Sequence, residues 1–331
     1  MSENKSILGI DVSKAKLDVC LLMGEKARHK VFANTPEGFE KMENWCGQQG
    51  VGALHICLES SGWYGERVSF YWHNKGQTVS IINPARIKAF GRSEGQRTKT
   101  DKMDAGVIAR FCRAHNPAAW TPPSNARRYL QDLYRTLVDL KSMEKQCINH
   151  LEKETMTDVA RSYWQDSVKM FHDRIRDCEH QIASLVSENN DLKQCVENIS
   201  SIKGVGFLTA VAILAETPDI SRFEDVRQFV AFAGLNPCER QSGSSVRGKT
   251  RISKEGSSHL RKALYMPAIS VKNTNPHFEK FCNTLKKRGK PGKVIVVAIM
   301  RKLMHIIFGI LKHNTPFDPQ KLTQTAGKQP C

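Results

Sequence analysis

The sequence predicts an N-terminal α/β domain with a mixed sheet, then long helices, then a mainly helical C-terminal domain. Over residues 7–115, short apolar runs first follow one another and then alternate with helical patterns, as in a mixed sheet that packs against helices. Residues 127–198 contain no glycine or proline and repeat apolar residues three or four positions apart, which indicates long helices. From residue 199 onward, glycine turns separate shorter helical patterns.

Five strands are predicted in the N-terminal domain. They are residues 7–12, 16–23, 30–34, 53–58 and 78–82. Helices are predicted to begin at Pro36 and to span residues 63–74 and 101–115. The segment 86–100 is basic and polar, and it is expected to be a loop that lies near phosphates.

Prolines near residue 120 end the first domain, which we place at residues 1–122. Residues 123–198 are predicted to form two or three long helices in a coiled-coil-like arm. A bundle that only spaces two domains explains this pattern as well as a dimerisation arm or an RNA platform does. Residues 199–318 are the predicted C-terminal domain, and residues 319–331 are a predicted flexible tail.

A glycine turn opens the C-terminal domain. Lys203, Gly204 and Gly206 precede a predicted helix over residues 207–216, a pattern like that of a helix-hairpin-helix. Such a turn presents backbone N–H groups at a helix N-terminus, where they suit a phosphate. An ordinary turn between two helices is the alternative.

The charge balance points to a polyanionic partner. Lysine and arginine number 50 against 33 acidic residues, so the net charge is +17. DNA or RNA is the simplest such partner, and a merely basic soluble protein is the alternative. No two of the ten cysteines form a C-x-x-C pair, which argues against a zinc ribbon and a disulfide framework. No apolar leader and no run of 18 apolar residues is present, so we expect a cytoplasmic protein without a membrane span.

Four acidic residues stand in similar positions. Asp11 lies near the end of one predicted strand and Glu59 follows another, while Asp101 and Asp104 stand at the head of a predicted helix. Asp101 and Asp104 share a helix face with Ile108 and Phe111, so both carboxylates are expected to face the sheet, where they need a metal or a basic partner. We hypothesise that the four converge on a divalent metal for chemistry on nucleic acid. A helix-dipole preference for acids is the alternative for the pair in the helix.

Two basic segments lie in the C-terminal domain. Residues 240–262 hold seven basic residues and one acid, and the hydroxyl of Ser242 lies among them. Ser242 has no obvious adjacent base to activate it, and a plain linker is the alternative there. Residues 286–293 are expected to form a loop that phosphates occupy. The basic residues assigned to nucleic-acid binding are Arg247, Lys249, Arg251, Lys286, Lys287, Arg288, Lys290 and Lys293.

Six motifs in order resemble the insertion-sequence transposases that join a RuvC-like, RNase H-like DEDD domain to a C-terminal serine transposase domain. The motifs are Gly9-Ile-Asp11-Val-Ser13, Glu59-Ser-Ser-Gly62, Lys99-Thr-Asp-Lys-Met-Asp104, Ile202-Lys-Gly-Val-Gly206, Phe232-Ala-Gly-Leu-Asn-Pro237 and Ser242-Gly-Ser-Ser-Val-Arg-Gly248.

The resemblance implies an RNA-guided DNA recombinase. It implies that Asp11, Glu59, Asp101 and Asp104 bind Mg²⁺, and that Ser242 attacks a phosphodiester to form a covalent 5′-phosphoserine. It also implies a composite site in which the acids of one subunit face the serine of another, in a dimer to tetramer. The implied partners are donor DNA, target DNA and a bridge RNA, in the nucleoid of a bacterial cytoplasm.

Two other functions explain parts of the sequence. A metal-dependent structure-specific nuclease would use the four acids with water as nucleophile. A non-catalytic RNA-binding protein would use the acids in structural salt bridges. The effect of Ser242→Ala separates the recombinase from the nuclease, since only the recombinase needs that hydroxyl.

Overall fold

The computed structural model describes residues 5–60, 62–95, 101–238, 241–242, 246–247 and 251–320, with the backbone alone at 101–102, 241–242 and 246–247. The chain divides into two compact units, Met1–Pro122 and Pro123–Cys331. We call them unit 1 and unit 2.

Unit 1 is built on a five-stranded sheet with the strand order β3-β2-β1-β4-β5. The strands are β1 (Ser6–Val12), β2 (Lys16–Met23), β3 (Lys26–Ala33), β4 (Leu54–Glu59) and β5 (Thr78–Ile82). β1, β2 and β3 pair in antiparallel fashion, whereas β1 with β4 and β4 with β5 pair in parallel. The predicted mixed sheet is therefore confirmed.

Four helices accompany the sheet: α1 (Pro36–Gln48), α2 (Trp63–Asn74), α3 (Pro84–Ser93) and α4 (Asp101–His115). Successive residues of a strand point to opposite faces, so the sheet separates two cores. Leu8 and Ile10 belong to the core that α1 and α2 cover. Ile7 and Cys57 belong to the core under α3 and α4.

The predicted loop over residues 86–100 is wrong in its first half, because α3 occupies residues up to Ser93. The side chain of Asn83 accepts a hydrogen bond from Ala85 N at 2.8 Å and Pro84 takes the first helical position, so both start signals are present. Phe90 then packs edge-on against Phe111 of α4, with ring centroids 5.5 Å apart. The basic residues obscured a short amphipathic helix.

Unit 2 is mainly helical. Its helices are α5 (Asn125–Leu151), α6 (Asp158–Glu188), α7 (Asn190–Ser200), α8 (Phe207–Glu216), α9 (Val226–Phe232), α10 (Ser258–Thr274), α11 (Glu279–Lys287) and α12 (Gly292–His313). The described residues between α9 and α10 include four short strands: β6 (Pro237–Cys238), β7 (Gln241–Ser242), β8 (Val246–Arg247) and β9 (Arg251–Ile252).

The helices α5 and α6 form an antiparallel hairpin. Cys178 Sγ lies 3.4 Å from Leu133 O near its base, and the rings of His150 and Trp164 stack 4.1 Å apart near its tip. Buried residues at the base of the hairpin, including Leu137 of α5, belong to one core with the C-terminal helices. A coiled-coil character for this hairpin and a domain boundary at residues 198–199 stay predictions.

In the described part of the chain, α12 is the one helix long and apolar enough to cross a membrane, with a mean hydropathy of 2.2. Its residues Ile299, Leu303 and Ile307 are fully buried in the core of unit 2. The helix therefore has a packing role that accounts for its apolar composition. Nine of the ten cysteines are described, all as free thiols, and most are buried, as the sequence predicts.

A buried ion pair joins α5 to α8. Arg135 donates two hydrogen bonds of 2.9 Å to the carboxylate of Glu216, whose side chain is 2 % exposed. We expect Arg135→Ala to lower the free energy of unfolding by about 3–5 kcal/mol, because it leaves a buried charge uncompensated. The exposed pair of Lys141 and Glu179, 2.7 Å apart, is the control, and Lys141→Ala should cost less than about 1 kcal/mol. Urea denaturation of unit 2 in both variants measures the two losses in the free energy of unfolding. Equal losses in Arg135→Ala and Lys141→Ala would contradict the prediction.

Candidate active site

The parallel register of β1 and β4 brings two of the predicted acids side by side. Ile10 pairs with Leu58, and one further step along the same register sets Asp11 beside Glu59. Adjacent strands lie about 4.8 Å apart, and partners in a ladder point to the same face. Both side chains are half-buried. Two carboxylates therefore share the carboxyl end of the parallel part of the sheet.

Helix α4 covers the face to which these acids point. Gly9 lies two residues before Asp11 on that face, and a Cβ there would meet the backbone of Ala105 and lie 2.7 Å from Ala109 Cβ. The absence of a side chain thus lets α4 lie directly on β1. Asp104 precedes Ala105 in the first turns of α4 and is half-buried. Arg113, in the last turn of α4, donates to Gly24 O at 3.0 Å near the end of the sheet where β1 begins, so the N-terminal end of α4 is the end that lies towards the acids.

A fifth carboxylate was not predicted. Asp18 of β2 is the ladder partner of Asp11, is 7 % exposed, and forms an ion pair of 3.1 Å with Lys16. It shares the α4 face with Asp11 and Glu59. The strand 16–23 was predicted from its apolar residues. Asp18 and Cys20 are two residues apart in that strand, so their side chains point to the same face, and this spacing is the signal that would have placed Asp18.

The donor chemistry of this edge fits a hard divalent cation, because carboxylate oxygens are the ligands that Mg²⁺ and similar ions take. Among the described residues, whose side chains exclude that of Asp101, no three His, Cys, Asp or Glu side chains are grouped to hold a metal ion. Asp11 and Glu59 are thus brought together and Asp104 is placed on the same face. The convergence of all four acids stays a prediction, because the side chain of Asp101 lies outside the described part.

Asn34 ties together the two turns that follow the acids, and sequence reasoning missed it. Its side-chain amide donates to Ser13 O at 2.9 Å and to Tyr64 O at 3.0 Å. Ser13 lies two residues after Asp11, and Tyr64 lies in the first turn of α2, shortly after Glu59. Asn34 is 9 % exposed, so its hydrogen bonds fix these turns in a nearly dry setting.

A buried polar network lies behind the acids, between β4, β5 and α4. His55 Nε2 lies 2.9 Å from Ser80 Oγ, and Cys57 and Cys112 are fully buried beside them. The contact with Cys112 and burial raise the pKa of the Cys57 thiol far above its ordinary value. Cys57 therefore serves as a packing group between β4 and α4, whereas its contact with Cys112 and the nearby His55 lower the pKa of the Cys112 thiol.

The predicted nucleophile lies on a two-stranded ribbon in unit 2. Gln241 pairs with Arg247 and Ser242 pairs with Val246, while Cys238 pairs with Arg251 nearer the base. The plain linker considered as the alternative does not describe these residues, because their backbones pair. Residues 243–245 and Lys249 lie outside the described residues, as does the side chain of Ser242.

The base of the ribbon is fastened by the Phe232–Pro237 motif. Ser257 N donates to Phe232 O at 2.7 Å, and Arg261 donates to Ala233 O at 2.9 Å. Gly234 has a φ of +64°, and a Cβ there would lie 2.6 Å from the Arg261 guanidinium. Burial lowers the pKa of Arg261. The motif therefore fixes the backbone that leads into β6 and β9, the strand pair at the base of the ribbon.

The glycine turn between α7 and α8 packs against α10. Asn275 donates to Lys203 O at 3.2 Å. Gly204 has a φ of +98°, and a Cβ there would lie 3.1 Å from Val271 N, so glycine is needed for both conformation and space. Gly206 is exposed and caps α8 without a side-chain hydrogen bond. A helix-hairpin-helix role in phosphate binding stays a prediction.

The predicted basic loop at residues 286–293 is only partly a loop. Lys286 and Lys287 form the last turn of α11, and Lys293 lies in the first turn of α12. Leu285 is the last apolar residue of α11 and Val294 is the first of α12, so both helices run one or two residues beyond their apolar pattern into the basic segment. All five predicted basic residues of this segment, with Arg251 on β9, are exposed. They are available to phosphates, and their assignment to nucleic acid stays a prediction.

Comparison with known proteins identifies the family. The sequence matches the DEDD transposases over residues 8–159 and the transposase IS116/IS110/IS902 family over residues 196–283. The chain belongs to the IS116/IS110/IS902 transposase family. The first match contains the ends of β1 and β4 that carry Asp11 and Glu59, which we call the β1–β4 edge, together with α4. The second match contains the ribbon of Ser242.

Two relatives share nearly the whole length of the chain. It is 32 % identical to the pilin gene-inverting protein of Moraxella bovis over 319 residues, covering 95 % of this chain and 98 % of the relative. It is also 32 % identical to the transposase for insertion sequence element IS1111A of Coxiella burnetii over 353 residues, covering 94 % and 91 %.

Membership of this family makes the protein a DNA transposase or recombinase, with DNA as its substrate. The DEDD domain gives unit 1 an RNase H-like α/β fold and indicates dependence on a divalent metal. The resemblance drawn from the six motifs is confirmed at this level.

Adding a methyl group at Gly9 should misplace the acids. We expect Gly9→Ala to push α4 off β1, to cost about 1–3 kcal/mol of stability by overpacking, and to lower recombination by about 100-fold through misplacement of catalytic groups. Gly47→Ala is the control, since nothing lies within 4 Å of a Cβ there. Thermal melting and a plasmid recombination assay measure both effects. Full activity in Gly9→Ala would contradict the close approach of α4.

Proposed function

We propose that the protein is an RNA-guided DNA recombinase of an insertion sequence that exchanges strands through a covalent phosphoserine on Ser242. The observation that carries this proposal is the pair Asp11 and Glu59 at neighbouring positions of parallel strands, in the domain that matches the DEDD transposases. Donor and target DNA are its substrates, and a structured RNA of the same element selects them.

The acids are proposed to hold Mg²⁺. Asp11, Glu59 and Asp104 supply hard oxygen ligands on one face, and Asp101 lies one turn before Asp104 on the same helix. When bound, the ion supplies charge stabilisation at the scissile phosphate. The residues of this chain then position it, and the dense packing of Gly9 against α4 supports a fixed separation between strand and helix.

Ser242 is proposed as the nucleophile. Its Oγ forms a bond to phosphorus while the bond from phosphorus to the 3′ oxygen breaks, so a 5′-phosphoserine and a free 3′ hydroxyl result once the serine proton has passed to the leaving oxygen. The phosphoester retains the bond energy, and a new 3′ hydroxyl attacks it to rejoin the strands. Placement on a paired ribbon whose base is fastened suits a residue that must meet a phosphate at a defined distance.

The site is proposed to be composite, with the acids of one subunit facing Ser242 of another. Ser242 lacks a base in its own sequence neighbourhood, and a hydroxyl needs activation to attack. The exposed basic residues of unit 2, Arg251 and the segment 286–293, supply positive charge along which DNA or RNA binds. At least a dimer is required, and we propose a dimer to tetramer.

Mixing two inactive variants tests the composite serine mechanism. Asp11→Asn and Ser242→Ala should each abolish recombination, and their mixture should recover part of it because one hybrid site has both groups intact. Labelled DNA should remain attached to denatured wild-type protein after Mg²⁺ is added, and not in EDTA or with Ser242→Ala. A metal-dependent nuclease using water would instead keep cutting DNA in the Ser242→Ala protein, and that result would overturn the serine mechanism.

RNA guidance predicts a specific RNA in the purified protein. A single structured RNA encoded beside the gene should co-purify, and changing its DNA-pairing loop should redirect recombination to the matching new sequence. Sequencing the bound RNA and the recombined junctions measures this. Recombination that proceeds at an unchanged site after ribonuclease treatment would rule out guidance.

A further inference from the structure

Two large aromatic side chains stand exposed beside the acid-bearing edge of unit 1. Trp63 is 70 % exposed and Tyr64 is 45 % exposed. The other tryptophans of unit 1, Trp45, Trp72 and Trp120, are all buried. Trp63 and Tyr64 contribute little to the core of the unit, so their exposed area is available to a partner.

The rings lie close to Glu59 along the chain. Glu59 ends β4 and Trp63 begins α2 four residues later, so the two Cα atoms lie at most about 14 Å apart. That span equals about four base-pair steps of duplex DNA at 3.4 Å each. A nucleotide next to a phosphate held at the acids is therefore within reach of these rings.

The backbone that carries the rings is fixed from both sides. Asn34 holds Tyr64 O to the turn after β1, and Ser69 Oγ donates to Gly65 O at 2.8 Å inside the helix. Val68, one turn further along α2, is fully buried against the sheet. A rigid aromatic surface loses little entropy when a base stacks on it.

The surrounding charges suit a nucleic-acid strand. Arg67 lies one turn after Trp63 on α2 and is exposed, and Lys14 is exposed in the turn after β1 to which Asn34 binds. Glu66 is the acidic residue of the same helical turn. Aromatic rings flanked by cations are the usual surface for single-stranded nucleic acid, because every base presents a face that stacks.

We propose that Trp63 and Tyr64 form a stacking platform for an unpaired base of the DNA strand that is cut at the acids. Exchange of strands between duplexes requires bases beside the cut to leave one partner before they pair with another, and an aromatic surface stabilises a base in that interval. The inference rests on the proposed use of the β1–β4 edge as the cleavage site, and it adds a positioning element on the DNA side of that site.

Fluorescence of the full-length protein tests the platform without catalysis. In EDTA, a short single-stranded DNA should quench tryptophan emission of the wild type, and Trp63→Phe should abolish most of the quench while DNA affinity is largely kept. Trp63→Ala should weaken binding by about 5- to 100-fold, the size of one lost base–aromatic stack. Its melting temperature should not change, because the side chain is mostly exposed.

Tyr163→Ala is the matched control, since Tyr163 is 69 % exposed on α6 of unit 2. Unchanged DNA affinity in this variant together with a loss in Trp63→Ala supports the platform. The platform would be overturned by equal losses of DNA affinity in the two alanine variants, or by no loss in Trp63→Ala. It would also be overturned if RNA but not DNA quenched the emission, or if the quench depended on protein concentration and not on DNA concentration. A quench that persists in Ser242→Ala separates the platform from the serine mechanism, which that variant tests independently.

Discussion

The parallel pairing of β1 with β4 is the interaction on which the candidate site depends. Its register makes Asp11 and Glu59 neighbours, and a slip of one residue would turn one of them to the opposite face of the sheet. The register is set by apolar side chains that alternate between two cores, one under α1 and α2 and the other under α4. Burial of Leu8 and Ile10 on one side thus fixes where the acids point on the other.

Close packing of α4 on β1 is the second constraint. Gly9 has no side chain, so the helix backbone approaches the strand, and Asp104 is carried towards the edge where Asp11 and Glu59 lie. The buried network of His55, Ser80 and Cys57 joins the same elements from behind the acids. Acidic side chains repel one another, and dense apolar packing holds Asp11 and Glu59 near each other despite that repulsion.

Unit 2 carries Ser242, the proposed nucleophile, on a stretch of paired backbone. The ribbon pairs its own strands, and its base is held by Ser257 and by Arg261 against the Phe232–Pro237 motif. The acids lie in unit 1 and Ser242 lies in unit 2, so the proposed mechanism needs both units.

Local signals were sufficient for most elements of this protein. The strand of residues 78–82 and the helices over 63–74 and 101–115 follow from short-range periodicity and turn residues, which depend only on neighbours in the chain, and so do the strands that carry Asp11 and Glu59 near their ends. Charge-rich segments misled, because α3 and the ends of α11 and α12 are stabilised by apolar contacts with distant helices. The spacing of Asp18 from Cys20 indicates the face to which Asp18 points, but its pairing with Asp11 and the hydrogen bonds of Asn34 arise only from tertiary packing, because ladder register and contacts across tens of residues depend on distant parts of the chain.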